Sequence, residues 1–335
     1  MNKLITFIVF FAAVTLLTVC AHIPQNENRS DSPKDQQAAG SDSIGDASPP
    51  IPGPSEPARK IMTLNNLAEA CRVLGDYARA EPLYQHALEI SRKAYGPEHA
   101  QTAVIMNNLA MLYHLCEDYT RAEPLYIRAL AIREKVYGPE HASVALTLNH
   151  LAGLYDLLGM HAKAEPLYER ALAIDEKIYG PDHPEIAIDL NNLALAYHSL
   201  GNYAKAEPLY ERALKIEERF YGSGHAFPGM TLNNLALVNH SLGKYAPAES
   251  FYKRALAISE KIYGPYHPDL AADIGNMAEL CRALGNDAQA EFFYKRALII
   301  AEMNRLPQSL WRIRHGLSRI FAGQEYPDAA IFFGK

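Results

Sequence analysis

The sequence predicts an all-α solenoid of helix–turn–helix repeats, and three observations carry that expectation. The signature Tyr-Gly-x-x-His recurs at Tyr95, Tyr137, Tyr179, Tyr221 and Tyr263, each 42 residues after the last. Between these loops two apolar patterns at helical spacing repeat in every unit. The first begins as Leu64, Leu67, Ala68 and Cys71, the second as Ala80, Leu83, Tyr84, Ala87 and Leu88. The composition fits, because 20 Tyr against a single Trp is what one short pattern copied many times produces. A fixed period of this length means stacked supersecondary units, each unable to bury its apolar face alone.

The N-terminus reads as an export signal. Lys3 gives a small positive start, and Leu4 to Val19 form a 16-residue apolar run, shorter than the roughly 20 residues a membrane span needs. Leu17-Thr18-Val19-Cys20 resembles a bacterial lipobox, which makes residues 1–19 a signal peptide and Cys20 the lipidated first residue of the mature chain. Cleavage after Ala21 and a retained N-terminal anchor are the competing readings. Residues 20–57 hold seven of the 21 prolines, many serines and no aromatic residue, and so read as a disordered tether.

The repeats follow as residues 58–99, 100–141, 142–183, 184–225, 226–267 and 268–306, with 307–335 as a degenerate capping helix pair, Trp311 to Phe321 and Tyr326 to Phe333. In Leu74-Gly75-Asp76-Tyr77 the glycine ends the first helix and the aspartate can cap the second. Alanine recurs without exception at two positions, the Ala68 series in the first helix and the Ala87 series in the second, where small side chains let backbones approach. Pro82, Pro124, Pro166 and Pro208 lie past the first turn of the second helix and should each remove a hydrogen bond and bend it. Glu117 stands where the other turns have glycine, and Ser250 replaces the proline of the fifth unit.

The spacing Leu64-x2-Leu67-Ala68-x2-Cys71-x3-Gly75-x-Tyr77-x2-Ala80-x3-Tyr84-x2-Ala87 resembles the tetratricopeptide repeat (TPR). The 42-residue unit, with Leu-Asn-Asn-Leu-Ala and Ala-Glu-Pro-Leu-Tyr, is similar to the repeats of kinesin light chains and their bacterial relatives. The resemblance covers residues 58 to about 304. It implies a right-handed superhelix whose first helices line a concave face that holds extended peptides. It does not imply motor transport, since the export signal directs the chain out of the cytosol.

On a helical wheel the first helix sets Leu64, Leu67, Ala68, Cys71 and Leu74 on its core side and Met62, Asn65, Glu69, Arg72 and Val73 opposite. The resemblance makes the opposite side the groove. Asn65 recurs as Asn107, Asn149, Asn191 and Asn233, and the next position gives Asn66, Asn108, His150, Asn192, Asn234 and Asn276. Asparagine is a mediocre helix former, so these amides either pair the backbone of a peptide ligand or bond between neighbouring helices. One turn on, the series reads Arg72, His114, Asp156, His198, His240 and Arg282. It is either a basic floor for an acidic ligand, strengthened by acidification of the histidines, or a solvated polar face. Met111, Leu195 and Leu237 form an apolar strip between these rows. The Arg128 row on the second helices should make inter-helix salt bridges, and the His99 row should bond a helix terminus across its turn.

Chemistry is thin. No phosphate loop, nucleophile elbow or zincin motif is present, and the His99 series at 42-residue spacing is no metal pattern. Cys71 and Cys281 hold the same core position in the first and sixth units and cannot pair. A net charge of −6 argues against nucleic acid. The expectation is therefore a non-enzymatic binding module without metal or cofactor, holding a peptide or partner protein rather than a small-molecule substrate. It would be an outer-membrane lipoprotein facing the periplasm, or else a soluble exported protein. A scaffold working through its convex face or termini is the alternative.

Overall fold

The computed structural model describes residues 55–323, and the signal, Cys20, the tether up to residue 54 and the second capping helix lie outside the described residues. Thirteen helices make up the described residues. The first helices of the six repeats are α1 (Glu56–Val73), α3 (Ala100–Leu115), α5 (Ala142–Leu157), α7 (Pro184–Ser199), α9 (Ala226–Ser241) and α11 (Leu270–Ala283). The second helices are α2 (Tyr77–Tyr95), α4 (Tyr119–Tyr137), α6 (His161–Tyr179), α8 (Tyr203–Tyr221), α10 (Tyr245–Tyr263) and α12 (Asp287–Met303). A last helix, α13 (Pro307–Gly323), supplies the first half of the expected cap. None of these helices is long and apolar enough to cross a membrane.

The chain divides into two compact units, Met1–Leu154 and Tyr155–Lys335. In each, a first helix packs against its own second helix, which packs in turn against the first helix of the next repeat. The crossings are built on alanine, as expected. Ala68, Ala110, Ala152, Ala194, Ala236 and Ala278 are completely buried, and the Ala87 series is buried with them. The Tyr84 series fills the space between repeats and is buried throughout.

Backbone chemistry explains the turns. Gly75 N–H bonds to Arg72 O and Asp76 N–H to Cys71 O, a Schellman closure with Gly75 at φ 76°. Glu117 closes the second turn in the same way, its N–H bonding to His114 O and that of Asp118 to Tyr113 O, at φ 58°, a conformation that costs a non-glycine residue roughly 1–2 kcal/mol. Asp76 and Asp118 accept from the backbone N–H three residues on, at 3.3 and 3.2 Å, and cap α2 and α4. The second helices run unbroken through Pro82, Pro124, Pro166 and Pro208.

One core assignment is corrected. Leu67 and Leu74 are 50% and 83% exposed, although their helical face was expected to be core. The equivalents of Leu67 in later repeats, Leu109, Leu151, Leu193 and Leu235, are buried. Each of those lies on a first helix with a second helix of the preceding repeat before it, and among the described residues α1 has none.

Candidate functional site

The signature loop is structural. Gly96 sits at φ 94°, ψ 165°, and its four equivalents adopt the same conformation, a region essentially restricted to glycine. The following histidine then folds back on the tyrosine, with ring centroids 4.7 Å apart for Tyr95 and His99 and 4.4 Å for Tyr137 and His141. Its Nδ1 accepts the backbone N–H two residues on, at 3.1 Å from Gln101 and 3.1 Å from Ser143. His183, His225 and His267 do likewise. These histidines cap the first helices, as the sequence suggested. The arginine row on the second helices also bridges as expected: Arg212 pairs with Glu176 at 2.5 Å, Arg254 with Glu218, and Arg296 with Glu260.

The asparagine row is committed in part to the stack. Asn65 Oδ1 accepts from Asn108 Nδ2 at 2.9 Å, and the buried Asn107 lies 3.2 Å from His150 Nδ1. Asn191 donates to Glu217 at 2.9 Å and accepts from Thr231 at 3.1 Å. The bonds to Asn108, His150 and Thr231 join adjacent repeats and that to Glu217 joins the two helices of one repeat, so at these positions the amides fix register. Asn149 and Asn233 are half-buried, and Asn233 Oδ1 has no partner.

The row expected to be a basic floor is electrically quiet. Arg72 is buried and doubly bonded to Glu69, while Arg282 bonds Glu279 through Nε and a terminal nitrogen at 3.2 and 2.9 Å. Burial opposes ionisation of Glu69 and Glu279, but bonds from those arginines and from Tyr84 and Tyr294 outweigh it and hold both carboxyls below their ordinary range. His114 is buried with neither ring nitrogen bonded, and burial depresses its pKa to about 4. Burial brings His198 to about 4 as well. It also lowers His240, with Arg282 adding to the effect and Glu279 opposing it. Asp156 is buried against His161 at 2.9 Å. The expectation that mild acid would charge this row is therefore corrected for His114 and His198, which desolvation keeps neutral, while at His240 it disfavours the charged form.

Of the apolar strip, Met111 and Leu195 are buried and only Leu237 stays half-exposed. The strip has a consequence that sequence reasoning missed. Tyr84 donates to Glu69, Tyr126 to Met111 Sδ, and Tyr294 to Glu279, each fifteen residues back. The same offset sets Tyr210 and Tyr252 against Leu195 and Leu237, which accept nothing, and both buried hydroxyls lack partners. A buried donor left unpaired costs roughly 1–3 kcal/mol. Comparing position 69 across the repeats is the signal that would have found it.

A second missed feature is a buried polar row between repeats. Arg133 donates to Thr147 at 2.9 Å and Asp175 bonds Asp189, while Glu217 at the equivalent position accepts from Asn191 of its own repeat. Burial raises Asp175, and it pushes Glu217 and Asp273 up to about 7 each. Among the described residues no cluster suited to a metal ion occurs.

The sequence model of the tetratricopeptide repeat matches residues 60–119, 101–177, 157–219, 185–261 and 229–303. Solved structures agree. BtubC (BKLC) from P. vanneervenii is 27% identical, with a TM-score of 0.54 over 75% of this chain and 93% of that one. A Podosopora anserina kinesin light chain structure with nearly identical TPR-like repeats is 25% identical, with a TM-score of 0.54 over 62% of this chain and 99% of that one. PilW, a type IV pilus biogenesis factor, is 19% identical with a TM-score of 0.55 over 71% of this chain and 92% of that one, a likeness of fold alone. No protein of curated function matches the chain.

Proposed function

We propose, from the premise that this chain belongs to the tetratricopeptide repeat family, that it is an exported binding module holding an extended peptide segment on its first helices. Members of the family are interaction modules, and the fold is one. The finer reading is ours: the segment lies across α7 and α9, over Leu237 and His240 and beside Asn233. The observation that carries it is the set of unmatched polar atoms in repeats four and five, the hydroxyls of Tyr210 and Tyr252 and Asn233 Oδ1. A peptide backbone carries both donors and acceptors, and local opening of the face would let it complete these groups. The residues of this row give no reason for an acidic ligand, since Arg72 and Arg282 are already paired, His114 and His198 are neutral, and burial disfavours the charged form of His240. Export and lipidation at Cys20 complete the proposal and rest on the N-terminal sequence.

The test uses the full chain on a peptide array. Tyr210→Phe with Tyr252→Phe removes two orphaned hydroxyls, so the free protein should melt at the same temperature or higher while peptide capture weakens several-fold. Unchanged capture would move binding away from this face and favour the scaffold reading. Palmitate labelling lost in Cys20→Ser tests the anchor separately.

A further inference from the structure

The repeats serve as controls for one another, and the sixth departs from the other five on its outer face. Phe292, Ile299 and Met303 of α12 are spaced seven and four residues apart, which aligns them along one side of the helix over about 16 Å. They are 63%, 52% and 63% exposed. The first of these positions is Pro82, Pro124, Pro166, Pro208 and Ser250 in the other repeats. The second is Glu89, Ala131, Ala173, Lys215 and Ala257, and the third is Lys or Arg throughout, from Lys93 to Lys261.

The change extends to the facing loop. Glu98 lies 3.5 Å from Lys135 and Asp182 lies 3.6 Å from Arg219, in each case joining a loop to the second helix 37 residues on. In the last repeat the same two positions are Tyr266 and Met303. Asn304 Nδ2 donates to Tyr266 O at 3.2 Å, which holds this loop beside the end of α12, and Tyr266 is 59% exposed. An exposed ion pair has thus become an exposed apolar pair. A partly exposed apolar residue and the tyrosine after it, Val136, Ile178, Phe220 and Ile262 with Tyr137, Tyr179, Tyr221 and Tyr263, close four of the second helices, and a feature repeated along the array does not single out one repeat. A four-residue stripe in one repeat does.

The geometry points to a second copy of this chain as the partner, docked through α12 in a two-fold antiparallel contact. Two arguments select it. The charges on one flank of the stripe are self-complementary: Lys295 precedes the midpoint and Glu302 follows it, nearly in line on the same side. In an antiparallel pair each Lys295 therefore faces the other copy's Glu302, as an isologous interface requires. Both now make exposed pairs, Lys295 with Glu291 at 2.6 Å and Glu302 with Arg314 at 3.3 Å, which are weak and exchangeable. The area also fits. Four large side chains, each exposing on the order of 100 Å², present about 400 Å² per copy. Two copies supply roughly half of a standard interface of about 1,600 Å², and the polar rim supplies the rest.

Sedimentation equilibrium of the full chain tests the assignment. Phe292→Ser, Ile299→Ala and Met303→Lys together recreate what the fifth repeat carries at Ser250, Ala257 and Lys261, so the fold tolerates them. The wild type should dimerise in a concentration-dependent way, and the triple variant should dimerise at least about 30-fold more weakly with its melting temperature held. Lys295→Glu should weaken the dimer several-fold, and adding Glu302→Lys should restore it. A wild type that stays monomeric at about 100 μM, a triple variant that still dimerises, or a charge swap that fails to restore association overturns the proposal.

Discussion

Acidification should destabilise the first unit through His114, by an amount the structure sets. Both nitrogens of this imidazole are buried without partners, its ring packed edge-on to Tyr119 and Tyr126 with centroids 6.0 and 6.4 Å away. Its folded pKa is about 4, against an ordinary value of 6.5 in the unfolded chain. A base with a depressed folded pKa contributes stability that is present above the unfolded value and lost as pH falls through the folded one. At pH 5 the unfolded chain has taken up its proton and the folded chain has not, which costs about 2 kcal/mol relative to neutral pH. His114→Leu keeps the apolar contacts and removes both the orphaned nitrogens and the titration. Urea denaturation between pH 7.5 and 5 should show the variant at least as stable as the wild type at neutral pH and about 2 kcal/mol flatter over the acid range. Parallel pH profiles would mean that His114 is protonated in the folded state and that the site is wetter than its burial implies.

Glu117→Gly relieves a left-handed residue in a Schellman turn and should raise stability by about 1 kcal/mol in the same denaturation assay. Glu217, whose folded pKa is raised to about 7 by burial, has the opposite sign from His114. Its contribution is full below its ordinary 4.5 and lost as pH rises through about 7, so Glu217→Gln should flatten the decline between about pH 4.5 and 7. Ala194→Leu overpacks a completely buried crossing and should cost roughly 1–3 kcal/mol, read as a lower melting temperature. Acidic peptides should bind no more tightly at pH 5.5 than at pH 7.5, checked by isothermal titration, since neither His114 nor His198 charges in that range.

What the sequence made legible was whatever one repeat dictates to itself. The alanine crossings, the buried tyrosines, the glycine turns and the histidine caps each depend on neighbours a few residues away or one helix across, and the 42-residue period repeats those neighbours faithfully. Leu67 shows where that logic stops. It has the same pattern as Leu109 but a different surface, because burial belongs to the junction between repeats and not to the residue. The histidine row was misjudged for the same reason: position on a wheel says which side of a helix a ring occupies, while its charge depends on how much water the next repeat leaves it. The asparagines had two open readings, and only the distances to Asn108, His150 and Thr231 decided that three of them bond within the stack. The period, being common to all repeats, cannot say where an array differs along its length, so function must be sought in its exceptions. Leucine replaces Glu69 at Leu195 and Leu237 and strands two tyrosine hydroxyls on the face proposed to bind. Phenylalanine, isoleucine and methionine replace proline, alanine and lysine on one outer face and leave a stripe that water should not keep. Each exception costs stability in the isolated chain, and a partner that covers it recovers that cost, which is why the departures mark the surfaces to test.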